Sequence, residues 1–138
     1  MTPGLIERLE AAGEGSRELD AEVWMDLVEC DRLWRRWAPV DEHHGHGEPQ
    51  PGALYYAPHC AQVFVTPEVT TSLDAALALA ERVLPDLTKI NVWTYVRGKH
   101  HHCEIETDED EFDALNASTP ALALCIAILK ARATQEQG

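Results

Sequence analysis

The chain of 138 residues is 45% hydrophobic and 25% charged, which is typical of a globular domain and excludes a wholly disordered or fibrous chain. Its formal net charge of -13 excludes binding to nucleic acid through the phosphates and favours a partner with a basic surface. The first residues carry acids where a signal peptide needs bases, and no apolar run has the length of a membrane span. We therefore expect a single domain over residues 1–138, located in the cytosol and without a membrane partner.

The first third of the chain predicts two helices and a strand. In "GLIERLEAAGEG" the apolar residues share one stripe, and the glycines end the helix. Ser16 is positioned to cap a second helix, "RELDAEVWMDLVE", whose apolar residues point inward. The outer face of this helix carries acids with no interleaved base: Glu18, Glu22, Asp26 and Glu29. The following "DRLWRRWAPV" predicts a strand that directs a tryptophan into the core.

The middle of the chain predicts a long loop, two short strands and a helix. Residues 38–52, "APVDEHHGHGEPQPG", are rich in His, Gly and Pro and have no apolar periodicity, which indicates a loop. The stretches "ALYYAP" and "AQVFV" are strand candidates. We expect "TTSLDAALALAERVLP" to form a helix that Thr71 or Ser72 caps.

A β-hairpin is predicted next. The stretch "TKINVWTYV" is β-branched and aromatic, as strands are. Its core side is expected to carry Ile90, Val92, Thr94 and Val96. If Gly98 and Lys99 form a two-residue turn, "HHHCEIET" returns antiparallel. The expected cross-strand pairs are His102 with Tyr95, Glu104 with Trp93, and Ile105 with Val92.

The last element is an apolar helix, "ALALCIAILKARA". Thr119 is its expected cap, and Pro120 occupies the first helical position, where the missing N–H is harmless. Because apolar residues surround most of its circumference, we expect cover on two sides. The order of elements predicts an α+β fold: an antiparallel sheet covered by helices on both faces, an α/β/α sandwich.

Two stretches account for the negative charge. One is residues 1–31, which hold nine acids, the acidic helix face among them, against Arg8 and Arg17; the other is residues 104–113, which hold no base. The second stretch contributes Glu104, Glu106, Asp108, Glu109, Asp110, Glu111 and Asp113. These acids either keep a surface hydrated or form a protein-binding surface that imitates nucleic acid and occupies a basic groove.

Metal binding is an alternative reading of the histidines. His100 and His102 share one face of the strand and could chelate zinc, with Glu104 as a third ligand. A fourth ligand could come from the 38–52 loop, where the candidates are His43, His44 and His46. The chain has no HExxH or CxxC motif, and a solvated hairpin face accounts for the same residues. We therefore expect no metal and no cofactor.

The residues that could support catalysis are poorly arranged for it. The sequence has no GxSxG elbow and no glycine-rich phosphate loop. His59 and Cys60 are neighbours on a predicted strand, so they point to opposite faces and cannot share a proton. We therefore expect a protein that is not an enzyme.

Nucleotide sequestration is a further alternative. Arg35 and Arg36 next to Trp34 could clamp a phosphate and stack on a base, with Tyr95 as a second aromatic. The same strand could instead bury its tryptophan and pair its arginines with nearby acids. Both interpretations stay open at this point.

Three stretches carry a resemblance to a known family. They are "LIERLEAAGEGSRELDAEV" at 5–23, "VTTSLDAALALAERVLP" at 69–85 and "TPALALCIAILKARA" at 119–133. They resemble small proteins of bacteriophages and prophages that look like the phage ABA sandwich domain family. The resemblance implies an α/β/α sandwich and a mobile-element origin, and it brings no catalytic residues.

The leading hypothesis combines the acidic surfaces with this resemblance. We expect a non-enzymatic, phage-derived binding protein that inhibits a nucleic-acid-binding host defence complex, in the manner of anti-CRISPR proteins. Its partner would be a host protein with a basic surface and not nucleic acid itself. Whether the chain forms a homo-oligomer stays open.

Overall fold

A computed structural model describes residues 3–28, 34–36, 52–56, 63–97 and 99–137. The elements in this part of the chain are α1 (Pro3–Ala11), α2 (Arg17–Leu27), β1 (Trp34–Arg36), β2 (Ala53–Tyr56), β3 (Val63–Val65), α3 (Leu73–Val83), β4 (Leu87–Tyr95), β5 (His100–Thr107), β6 (Glu111–Ala117) and α4 (Pro120–Gln137). The strands form two antiparallel sheets, ordered β1-β2-β3 and β4-β5-β6. The predicted α+β class is confirmed. The predicted 38–52 loop lies outside the described residues, except for Gly52.

Helix α4 is the centre of the hydrophobic core. Every residue from 121 to 129 is buried, so this helix has no solvent-facing side over these residues. It packs against β4, β5 and β6 on one side and against α1, α2 and α3 elsewhere on its surface. Its start follows the predicted capping, because the Leu122 N–H donates to Thr119 Oγ1 at 3.1 Å. The expected cover on two sides is confirmed.

The two faces of the sheet β4-β5-β6 differ. Cys103, Ile105 and Ala114 are buried on the face that packs on α4. The opposite face, here called the open sheet face, carries side chains that are half-buried or exposed. It consists of Lys89, Asn91, Trp93, Tyr95, His100, His102, Glu104, Glu106, Glu111, Asp113, Leu115 and Asn116. Helical cover of this second face is not seen among the described residues.

A buried polar network fastens α2 to the segment that precedes α3. The Asp20 side chain is 0% exposed, and its Oδ1 accepts hydrogen bonds from Thr70 N at 2.8 Å and Thr70 Oγ1 at 2.5 Å. Its Oδ2 pairs with Arg17 Nη1 at 2.6 Å, and Arg17 Nη2 donates to the Thr66 carbonyl at 2.6 Å. The buried charge is therefore both paired and hydrogen-bonded, as a stable interior requires.

Two glycines make room for this network. A Cβ atom on Gly15 would overlap the Thr70 carbonyl, and one on Gly52 would overlap the Arg17 guanidinium. Gly52 also has a φ of +80°, which a residue with a side chain rarely adopts. Gly15 is thus required by close contact with another main-chain segment, and Gly52 chiefly by its backbone conformation.

The β4–β5 hairpin has a different register from the predicted one. Trp93 pairs with His102, Val92 with Cys103 and Ile90 with Ile105. Because Tyr95 pairs with His100, the connection spans residues 96–99 and not two residues. The predicted pairs were therefore wrong by two positions, and a shift of two keeps the side chains that remain paired on their predicted faces.

The longer connection also changes the end of β4. Val96 belongs to the connection and is 85% exposed, so its predicted core position was wrong. Thr94 is exposed too, and its Oγ1 lies 2.8 Å from His101 Nδ1. Lys99 accommodates the reversal with a φ of 51°, while Gly98 lies outside the described residues.

Candidate functional site

Strand β6, which the sequence analysis did not identify, concentrates the acids of the open sheet face. It pairs antiparallel with β5, so that Glu111 stands opposite Glu106 and Asp113 opposite Glu104. Like charges directly opposite one another on a sheet are unfavourable. The acidic run at 104–113 is therefore a two-stranded patch with a turn at its end, and we call it the acidic end.

Neighbouring carboxylates of the acidic end perturb Glu111. The pKa of Glu111 is raised, first by its hydrogen bond with Glu106 and then by the negative charges of Glu104 and Glu106. Ligand atoms of Glu104, Glu106 and Glu111 lie within 4.8 Å of one another. Such oxygens could hold a hard cation such as Ca²⁺ or Mg²⁺. Exposed acids converge in this way without an ion as well, so the cluster by itself indicates only a dense negative surface.

The β5–β6 turn extends the acidic end beyond the strands. Thr107 N donates to the Asp110 carbonyl at 2.8 Å, and Asp110 N donates to Thr107 Oγ1 at 3.2 Å, which closes the turn. Asp108, Glu109 and Asp110 are exposed there. An open groove beside the turn is lined by Thr88 and residues 106–111. The turn therefore presents an open acidic surface.

Four rings form a second cluster at the other end of the open sheet face, which we call the aromatic end. Tyr95 stacks on His100 with ring centroids 4.9 Å apart and an interplanar angle of 18°. His102 lies 4.6 Å from Tyr95 and 5.6 Å from Trp93, again between centroids. Trp93 and Tyr95 are 37% and 44% exposed. Rings so exposed on a sheet surface can stack on a planar or cationic group.

A bulge in β6 completes the aromatic end. His101 pairs with Ala117 and Cys103 with Ala114, so two residues of β6, Leu115 and Asn116, stand opposite His102. Asn116 takes the left-handed conformation, with a φ of 62°, which asparagine tolerates better than most residues. Its Oδ1 lies 3.4 Å from His102 Nε2. The bulge thus brings a polar side chain to the histidine and exposes Leu115.

The helical acids do not form an equivalent surface. Glu18 is exposed, but Glu22 is paired with Arg8 of α1 and its side chain is only 19% exposed. Asp26 is partly buried, and Glu29 lies outside the described residues. Hydrogen bonding to Glu22 also raises the pKa of Arg8. Part of the predicted acidic helix face is thus engaged in internal contacts.

Helix α1 lies against elements that carry both groups of acids. It packs against both α2 and β6. At its boundary with β6, Lys130 Nζ donates to the Asp113 carbonyl at 3.0 Å and lies 3.9 Å from Glu10 Oε2. Helix α1 thus contacts the elements that carry both groups of acids, and Lys130 contacts α1 and β6.

The structure describes only some of the residues predicted to bind a metal or a nucleotide. The ring centroids of His100 and His102 are 5.2 Å apart. Within the described ranges, three potential metal ligands converge at one place only, and these are Glu104, Glu106 and Glu111. Neither histidine belongs to this group. The other candidate ligands, His43, His44 and His46, lie outside these ranges, as do the side chains of Trp34, Arg35 and Arg36.

The cysteines seen in the structure are buried thiols. Cys103 and Cys125 are both 0% exposed, and Cys125 Sγ donates to the Val69 carbonyl at 3.2 Å. Burial raises the pKa of Cys103 to about 12 and raises that of Cys125 as well. Neither thiol is suited to nucleophilic chemistry. The pair His59 and Cys60 lies outside the described residues.

Comparisons with known proteins add no relative to this picture. No family model, no curated protein and no solved structure matches the chain. The resemblance to phage proteins and the mobile-element origin therefore stay predictions. None of the described helices is both long and apolar enough to cross a membrane.

Proposed function

We propose that this protein is a non-enzymatic binding protein whose acidic end docks on the basic surface of a partner protein. The observation that carries the proposal is the grouping of the seven acids of residues 104–113 on β5, β6 and their turn. All of them are half-buried or exposed, so their charges are available to a partner. The pKa of Glu111 is raised by its hydrogen bond with Glu106 and then by the charges of Glu104 and Glu106, and a basic surface placed there would relieve the repulsive part.

The charge density of the acidic end supports a partner that normally binds nucleic acid. Side chains on one face of a strand are about 7 Å apart along it, and neighbouring strands are about 4.8 Å apart. The four strand carboxylates, Glu104, Glu106, Glu111 and Asp113, therefore occupy a patch of roughly those dimensions, with the turn acids beside it. A basic groove that accommodates phosphates about 3.4 Å apart along a strand meets a comparable density of charge here.

The class of partner protein follows from the resemblance found in the sequence. Through the likeness to phage proteins we propose a nucleic-acid-binding complex of the host defence, which the protein inhibits by occupying its basic groove. A dense negative field also accelerates encounter with a basic partner, so binding should weaken as salt is added.

Charge neutralisation tests the proposal. In the acidic-end variant, glutamines replace Glu104, Glu106 and Glu111, and Asp113 becomes Asn. A control variant removes the same charge from exposed acids elsewhere, through glutamines at Glu7, Glu14, Glu68 and Glu81. Circular dichroism establishes that both variants fold.

Each immobilised protein is incubated with a bacterial host lysate, and captured proteins are identified by mass spectrometry. We expect the wild type and the control variant to retain a nucleic-acid-binding protein that duplex DNA displaces, and the acidic-end variant to lose it. Equal capture by both variants would contradict the proposal, since the acidic end would then be only a hydrated surface.

A further inference from the structure

The aromatic end adjoins the acidic end on the same sheet face. Trp93 pairs with His102, and the next outward pair along the strands is Asn91 with Glu104. Glu104 in turn stands opposite Asp113. Diagonal neighbours on paired strands are about 7–8 Å apart, so the exposed ring of Trp93 lies near the Glu104 carboxylate, whereas Asp113 is one strand farther away. A single side chain from a partner can therefore meet both Trp93 and Glu104.

The surrounding charge decides what the rings can bind. Exposed aromatic rings on a sheet can stack on nucleobases, but a nucleic acid would bring its phosphates against Glu104 and Asp113. A cationic group gains from both features, because ring faces and carboxylates each attract positive charge. The negative field therefore favours a cation over a nucleobase at this end of the open sheet face.

We propose that the aromatic end takes an arginine side chain of the partner protein, with its guanidinium stacked on Trp93 and directed at the carboxylate of Glu104, beside the negative charge of Asp113. The inference rests on the proposed function and specifies the chemistry of the partner. Arginine fits better than lysine, because its planar guanidinium stacks on rings and donates to a carboxylate through two N–H groups at once.

The fold already contains a contact of this kind. The guanidinium carbon of Arg82 lies 5.4 Å from the centroid of the Trp24 ring, between α3 and α2. At the aromatic end the rings have no arginine from the described part of the chain, although their exposed fractions leave room for one. The partner would supply it.

Two basic peptides of equal charge test the inference. In one, arginine alternates with serine, and in the other lysine takes the place of arginine. Dissociation constants are measured by fluorescence anisotropy at low salt. We expect the wild type to bind the arginine peptide about two- to five-fold more tightly, which is the range for an exposed cation–π contact.

Ring substitutions locate the preference. The double variant Trp93→Leu with Tyr95→Leu should lose most of the preference, because only the carboxylate contact then distinguishes arginine from lysine. Trp93→Phe keeps a ring and should retain part of the preference. Val65→Ala serves as a control, because Val65 is 62% exposed on the other sheet, and it should leave the preference intact.

The outcomes separate the inference from the proposed function. If the wild type binds both peptides equally, or if the double variant keeps the preference, the inference is wrong. The proposed function still stands in that case provided that the acidic-end variant binds both peptides more weakly. Undiminished binding by the acidic-end variant would overturn the proposed function itself.

Discussion

The buried carboxylate of Asp20 should be the acid whose loss destabilises the fold most. Asp20→Ala removes the acceptor of two hydrogen bonds from Thr70 and the partner of the Arg17 guanidinium. The Thr70 N–H then stays buried without its acceptor, at about 1–3 kcal/mol. Arg17, whose side chain is 25% exposed, loses its counter-charge as well. Together these changes should lower the free energy of unfolding by about 2–5 kcal/mol.

Urea unfolding followed by circular dichroism measures this loss. With the urea dependence typical of small domains, the midpoint should fall by about 1–3 M. Asp20→Asn keeps one oxygen in place and should lose about half as much. Glu18→Ala is the matched control, since Glu18 is an exposed acid in the same helical turn and should contribute less than about 1 kcal/mol. Equal losses for Asp20→Ala and Glu18→Ala would refute the structural role of the buried carboxylate.

Three further predictions concern the same fold. Gly15→Ala should cost about 1–3 kcal/mol in urea unfolding, because its Cβ would overlap a backbone carbonyl, whereas Gly13→Ala meets open space and should change stability by under about 0.5 kcal/mol. Because the pKa of Glu111 is raised in the folded state, its ionisation costs stability as the pH rises, and Glu111→Gln should therefore stabilise the fold at neutral pH. This gain should fade below pH 4.5, the ordinary pKa of the carboxyl, and a gain that persists in acid would contradict the electrostatic cause. Cys103 and Cys125 should react with a disulfide reagent only after unfolding in a background whose other cysteines are serine, and fast labelling of the native protein would disprove their burial.

The helix starts could be predicted because their signals are local. Ser16 and Ser72 cap α2 and α3 through their side chains, as the sequence indicated, at 3.1 Å and 3.2 Å from the N–H groups of Leu19 and Ala75. A capping side chain lies within a few residues of the N–H group it satisfies, so a short stretch of sequence contains both partners. The same reasoning holds for the start of α4.

Strand β6 could not be predicted because its stability comes from pairing. The stretch "EFDALNA" contains acids, alanine and asparagine, all of which are depleted in strands. It is extended because β5 lies beside it and because Phe112 and Ala114 pack towards the core. The pairing of β6 with β5 brings the acids together, so the sequence predicted the acidic residues but not their arrangement on two paired strands.

The buried acid had a signal that was missed. Asp20 stands three and four residues before Val23 and Trp24, which are buried on the core side of α2. A carboxylate at the helical spacing of core residues must have a buried partner, whereas the outer acids need none. The partner itself, Thr70, is fifty residues away and could not be identified from spacing alone.

The effects of Glu111→Gln on fold stability and on partner affinity distinguish a binding surface from one that is only hydrated. Ionised Glu111 opposes folding, because its hydrogen bond with Glu106 and the charges of Glu104 and Glu106 raise its pKa. Removing this charge should stabilise the free protein whatever the surface does. If the acidic end only keeps the protein hydrated, Glu111→Gln is harmless in every assay. If it docks on a basic partner, the same substitution strengthens the fold and weakens the complex, since the repulsion that the partner relieves is part of the binding free energy.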